Sequence, residues 1–291
     1  MTANELNNLL LRVEILARKN WIYAIHLLEE AERDHPGEPR IHSTRAAIFF
    51  ERHRFKDAAR HFLKALEYSP ANPQLLYMLG NSYFAQGEYR LALVYYDQVP
   101  NDSVELEYNR ALTKAYLGRN QESIDMLEAA TKKYGPQVYI YNLLIEQLLR
   151  MDKLHKASAY LAEAEKKLPP NHNLALMKGL IYYRREIWLT AYYSFRQADE
   201  RYEIYFPEHL HSYANSAAKC GFIQEAIELF DRALTYSPYQ TTLYEDYVKM
   251  LVEEQHYNLA RKVLAKAKRK MEALSPMLRL LQERIMQESP I

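Results

Sequence analysis

Leu79-Gly80-Asn81-Ser82-Tyr83-Phe84-Ala85-Gln86-Gly87-Glu88-Tyr89-Arg90-Leu91-Ala92-Leu93-Val94-Tyr95-Tyr96 carries two helical patterns parted by a turn at Gly87. In the second pattern Ala92 follows Tyr89 by three residues and precedes Tyr96 by four, which puts all three on one helical face. The arrangement recurs along the chain. Small residues at Ala24, Ala58, Ala92, Ser123, Ala157, Ala191, Ala226 and Ala260 are separated by steps of 34, 34, 31, 34, 34, 35 and 34 residues. Four residues after each stands a large apolar one: Leu28, Phe62, Tyr96, Leu127, Leu161, Phe195, Phe230 and Leu264. Seven after each stands a second compact one: Ala31, Ala65, Val99, Ala130, Ala164, Ala198, Ala233 and Ala267. Small side chains let neighbouring helices approach, and the large one fills the space beside the contact.

Another helix precedes each of these, with its own small residue at Ala46, Gly80, Ala111, Gly179 and Ala214, while Arg12, Ile145 and Val248 depart from that pattern. Pro36, Pro70, Pro169 and Pro238 mark repeat ends, because proline lacks the N–H that a helix interior needs. A helix pair of about 34 residues repeated in tandem resembles the tetratricopeptide repeat, whose known period is the same. Leu79-Gly80, Tyr83, Gly87, Tyr89, Ala92 and Tyr96 stand where that family places its packing residues. The resemblance implies an all-α, right-handed solenoid. It would form one domain over residues 1–291, with repeats at 5–38, 39–72, 73–103, 104–137, 138–171, 172–206, 207–240 and 241–274. Ser275-Pro276 then opens a capping helix over 275–288, with Leu278, Leu281 and Ile285 along one side.

Two places break the rhythm. The third repeat is three residues short after Val99-Pro100-Asn101-Asp102, so its second helix should end early. Tyr202 to Pro207 lacks a terminator before Pro207, which predicts a longer helix and a less regular junction there.

The 291 residues include 38 Lys plus Arg against 37 Asp plus Glu, without the excess positive charge that phosphate backbones attract, so nucleic acid is not an expected partner. No apolar run approaches the ~20 residues of a membrane-spanning helix, and no membrane insertion is expected. The opening residues do not read as a signal peptide, and the single cysteine, Cys220, fits a reducing compartment; the expected location is cytoplasmic. Among the ten histidines, His209 and His211 are two apart and point about 200° away from each other on a helix, so they do not share a metal. No Gly-x-Ser-x-Gly elbow, paired cysteines or Gly-x-Gly loop occurs, so the chain is read as a non-enzyme without cofactor or metal. The basic run Arg261, Lys262, Lys266, Lys268, Arg269 and Lys270 ends a predicted helix, where cations offset the dipole, and is read as a solvated face.

In the family it resembles, the first helix of each pair lines a concave groove. That register implies a peptide-binding surface of Tyr77, Met78, Asn81 and Phe84, then Tyr108, Asn109 and Leu112, then Tyr139, Asn142 and Leu143. Leu176, Met177 and Tyr183 follow, and then His211 and Asn215. Some family members grip a terminal carboxylate with basic residues, and those positions are not basic here. The lining is aromatic and amide with hardly any charge. Asparagines can pair with an extended backbone while tyrosines hold its side chains. The leading reading is a scaffold or adaptor that binds an extended segment or helix of a partner protein. The alternative is a self-assembling solenoid. For that alternative Leu6, Leu9, Leu10, Val13 and Leu16 form an apolar stripe expected to face another molecule, while Leu11 and Ile15 are expected to pack inward.

Overall fold

In the computed structural model, which describes residues 3–100 and 102–289, every described element of regular structure is an α-helix. Helices pair in chain order: α1 (Ala3–Lys19) with α2 (Trp21–Asp34), α3 (Pro39–Glu51) with α4 (Phe55–Tyr68), α5 (Pro73–Ala85) with α6 (Tyr89–Asp97), and α7 (Val104–Tyr116) with α8 (Asn120–Tyr134). Then come α9 (Val138–Arg150), α10 (Leu154–Lys167), α11 (His172–Arg184) with α12 (Trp188–Arg201), and α13 (Pro207–Lys219) with α14 (Ile223–Tyr236). The chain finishes with α15 (Thr241–Glu253), α16 (Tyr257–Lys270) and α17 (Pro276–Glu288). They group into two compact units, Met1–Gln147 and Leu148–Ile291, where one continuous array was expected. No described helix is long and apolar enough to cross a membrane.

Local chemistry explains where the helices stop. In seven pairs the first helix ends in a residue of positive φ, namely His53, Gly87, Gly118, Asp152, Glu186, Gly221 and Gln255. This left-handed residue turns the chain sharply back along the first helix, which suits glycine and is less favourable for the other four. α2, α4, α10 and α14 each end two residues before a proline. Asn72, Ser103, Asn171 and Ser275 cap the helices that follow them by accepting from backbone N–H groups. α6 stops after Asp97, as the shortened repeat predicts. The sixth pair differs from expectation, since α12 has the same 14 residues as α10 and α14, and the extra residues form the turn Tyr202–Phe206 instead.

The recurring small and large residues pack as their spacing requires. Ala58, Phe62 and Ala65 are buried in the first unit, and Ala191, Phe195 and Ala198 in the second. Closest of all are the glycines of α5 and α11. A Cβ on Gly80 would lie 2.5 Å from Cε1 of Tyr96, and one on Gly179 2.7 Å from Cδ1 of Phe195. Both rings are themselves buried and have no room to retreat.

The N-terminal pair corrects the sequence reading. Leu6, Leu10 and Val13 are buried and Leu9 half-buried in the core of the first unit, so these proposed self-association residues are taken up by the chain's own packing. Leu11 and Ile15, expected to pack inward, are instead 60% and 68% exposed. The reason is the turn. Only Asn20 separates α1 from α2, against three residues between α3 and α4. In other pairs the packed residue of the first helix precedes the small one of the second by twelve, as Ala46 precedes Ala58; here Val13 precedes Ala24 by eleven. Shifting by one position rotates the helix about 100°, which turns Arg12 out and Val13 in.

Beside this pair α3 and α4 bury two histidines. The Phe49 and His61 rings stack at 5.4 Å, His61 and His42 at 6.2 Å, and His42 and Tyr68 at 6.3 Å. Buried Arg45 donates to Glu32 at 2.6 Å, and Glu32 also faces His42 and Lys64. Burial pushes His61 down to about 4, with Arg45, Arg60, Lys64 and His42 adding repulsion; burial likewise lowers His42 against the pull of Glu32.

Two predictions follow from this packing. Gly179→Ala should lower the stability by about 1–3 kcal/mol, read as a lower urea midpoint, despite alanine's better helix propensity; an unchanged midpoint would show that Phe195 yields. The histidine column makes stability depend on pH. An unfolded His61 takes up a proton near its ordinary value of 6.5 and the folded one only near 4. Stability should therefore be full above that window and fall as pH drops through it, by about 2 kcal/mol at pH 5 for His61. Urea titrations across pH should show this slope in the wild type and a shallower one in His61→Phe.

Candidate functional site

On α5, α7 and α9 of the first unit, the expected site residues come together through specific bonds. Asn109 Nδ2 donates to the Tyr77 hydroxyl at 2.9 Å and to Asn81 Oδ1 at 3.2 Å, while the Tyr96 hydroxyl donates to the same Asn81 oxygen at 2.7 Å. Tyr108 meets Tyr139 edge to face at 5.1 Å. Phe84 packs against Tyr89 and Tyr116 at 5.3 and 5.4 Å. Tyr77, Met78, Phe84, Tyr108, Leu112, Tyr139 and Asn142 are all half-buried, each showing part of its surface to solvent. Burial pushes the Tyr108 hydroxyl above its ordinary value, with Glu146 adding to the effect, and does the same at Tyr139, where Glu105 contributes. Both phenols therefore stay protonated at neutral pH and keep an O–H to donate.

This arrangement changes the role expected of the asparagines. Asn81 and Asn109 were expected to hold a bound backbone, but their amides already bridge α5, α6 and α7. They position the tyrosines. Leu143 is a second correction: it is buried and offers almost no surface. Asn142 remains at the face, and its Oδ1 is buried without a hydrogen-bond partner. A cavity of about 260 Å³ opens beside Tyr77, bordered by Gln74, Glu105 and Leu106.

The remaining candidates lie in the second unit. Met177 is buried and belongs to the interior, another correction, whereas Leu176, Tyr183, His211 and Asn215 are half-buried. Asn215 Nδ2 donates to Asp246 Oδ2 at 3.1 Å and to the Tyr183 hydroxyl at 3.3 Å, and His211 Nε2 lies 2.7 Å from the same Asp246 oxygen. Burial opposes the Asp246 carboxylate, but the bonds from His211 and Asn215 outweigh it and hold the group below its ordinary value. Tyr183, Trp188, Asn215, Lys219, Asp246 and Lys249 border a cavity of about 320 Å³. The lining is thus charged here, contrary to the nearly uncharged surface expected from sequence. The sequence reading missed Asp246 and Lys249, although they stand at the sixth and ninth positions of the repeat at 241–274, where its own register looks for lining residues.

Comparison with known proteins agrees with this architecture. The family model described as tetratricopeptide repeat matches residues 49–115. The chain superposes on the Cut9–Hcn1 hetero-tetramer of the APC/C with a TM-score of 0.66 at 14% identity, covering 96% of this chain and 55% of that one. PilW, a type IV pilus biogenesis factor, matches with a TM-score of 0.59 at 18% identity over 70% of this chain and 96% of its own. PilF of Pseudomonas aeruginosa matches with a TM-score of 0.55 at 18% identity over 67% and 91%. No curated protein matches the sequence. The chain thus carries tetratricopeptide repeats at residues 49–115 and the same helical-repeat architecture over most of its length, an architecture that in general serves protein–protein interaction.

Because Asn109 ties two helices together, Asn109→Ala should lower stability by about 1 kcal/mol in urea unfolding, in addition to any effect on binding. A variant as stable as wild type would mean that the bridge is dispensable.

Proposed function

We propose that the first unit binds an extended segment of a partner protein across α5, α7 and α9. The observation that carries this reading is a row of half-buried tyrosines, Tyr77, Tyr108 and Tyr139, on three successive first helices. Asn109 anchors the first ring, and the edge-to-face contact steadies the other two. Aromatic side chains held in one orientation give a large contact area at small entropy cost, and such anchors tend to dominate interface energies. Uncharged rings left partly in water gain by being covered. The reading is of binding rather than turnover, and the tyrosine hydroxyls give it polarity by offering donors to backbone carbonyls.

The charged cavity beside Tyr183 and Asn215 is a separate recognition surface in the second unit, suited to a segment carrying charge. With Cys220 as the single cysteine, a reducing compartment suits the chain, and we place the scaffold in the cytoplasm.

Truncating Tyr108 to alanine should weaken a partner segment by about 2 kcal/mol, roughly thirtyfold, with little change in affinity between low and high salt. Isothermal titration of the captured partner against wild type, Tyr108→Ala and a Lys268→Glu, Arg269→Glu control would measure both. Undiminished binding by Tyr108→Ala, or loss confined to the basic-run control, would place the partner elsewhere.

A further inference from the structure

The turn between α12 and α13 displays aromatic side chains that the packing of the fold does not use. Tyr202, Tyr205 and Phe206 are 66%, 56% and 50% exposed. They are nevertheless held firmly. Between them Ile204 is buried as an anchor, and its N–H donates to Asp199 Oδ1 at 2.7 Å. Arg232 grips both oxygens of Asp199 at 2.7 and 3.0 Å and also donates to the Ile204 carbonyl at 3.0 Å. A turn pinned from two helices presents its rings in a fixed geometry, which lowers the entropy lost on binding.

The rings fall into two pairs: His172 and Tyr202 meet at 4.3 Å, and Tyr205 and Phe206 at 4.4 Å. All four line one cavity of about 140 Å³ together with Leu176 and Ile204. A void of about 150 Å³ accepts one benzene ring, so this slot has the size of a single small ring. Its walls are themselves exposed, so it is shallow, and a ring carried on a long side chain would leave its backbone standing off the surface. Proline carries its ring on the backbone itself. Proline also brings no N–H to be left unpaired, while the two lining tyrosines carry hydroxyls able to donate to carbonyls.

Charge narrows the partner further. The Glu203 carboxylate projects beside the slot, 3.7 Å from Arg232, whose closest contacts are already taken by Asp199 and the Ile204 carbonyl. A carboxylate lining an aromatic slot favours a cation in the bound segment, through charge and through the ring faces.

We propose that this slot is a docking site for a proline-containing, extended segment of a partner protein that carries a lysine or arginine next to the proline. The site is distinct from the tyrosine row of α5, α7 and α9, and its variants differ from Tyr108→Ala, so either surface can fail alone.

The test uses the full chain and a pool of short fluorescein-labelled synthetic peptides in which prolines and one arginine occupy varied positions. A matched pool carries alanine for every proline, and another glutamine for arginine. Fluorescence anisotropy should show saturable binding of the proline pool, weakened about tenfold or more by the alanine pool and by Tyr202→Ala, Tyr205→Ala. Glu203→Lys should weaken the arginine pool and leave the glutamine pool unchanged. Tyr193→Ala, which removes an exposed ring elsewhere in the second unit, should bind as wild type. Thermal melts of all variants should superimpose, since the replaced side chains are exposed. Absence of saturable binding, equal binding of the proline and alanine pools, or undiminished binding by the Tyr202, Tyr205 variant would overturn the proposal.

Discussion

The structure depends on the close approach of two helices at one small residue. Where Gly80 faces Tyr96 and Gly179 faces Phe195, a ring of the second helix lies against the backbone of the first with no space for a methyl group. In three other pairs the first helix carries alanine there, Ala46, Ala111 and Ala214, and the opposing side chain is Phe62, Leu127 or Phe230. The second helix keeps its own compact residues on either side of that large one, so each pair closes around a single bulky group. This contact sets the distance within a pair, and with it the face that each first helix presents outward.

The turn between the helices determines which residues reach that contact. A left-handed residue ends the first helix in seven pairs and keeps a twelve-residue separation between its packed position and the small residue of the second helix. α1 and α2 lack that residue, the separation falls to eleven, and one stripe of α1 exchanges places with the other. Changing a turn by even one residue re-aims a whole helix, since each residue contributes about 100° of rotation. The junction before α13 shows the converse case. Its extra residues do not lengthen α12; Asp199 and Arg232 fold them into a turn whose apolar centre is buried and whose rings face solvent.

Polar side chains on the first helices work mainly as braces. The Asn109 and Asn215 amides both span neighbouring first helices, reaching Tyr77 and Asn81 in one unit and Tyr183 and Asp246 in the other. Such bridges hold tyrosines at fixed angles, so a surface made of flexible-looking residues becomes preorganised. Binding then rests on the rings, with the amides acting through them.

The sequence by itself determined the all-helical class, the pairing and most helix ends, because these follow from local chemistry: a helical period of small and large residues, prolines that stop helices, and polar caps that start them. It also placed Tyr77, Tyr108, Tyr139, Tyr183 and Asn215 on helix faces that remain partly open. Only the tertiary structure decided whether a residue on such a face is spent on a neighbour. Leu143 and Met177 satisfy the same register as Tyr108, yet packing buries them, and Asn81 and Asn109 satisfy it yet are bound to other side chains. Asp246 stood in that register too, but its tie to His211 joins side chains of neighbouring repeats, 35 residues apart, and depends on how those repeats pack. Helical periodicity reports the direction of a side chain around its own axis; what lies in that direction is set by how other helices are brought against it, and that depends on turns whose length acts at a distance.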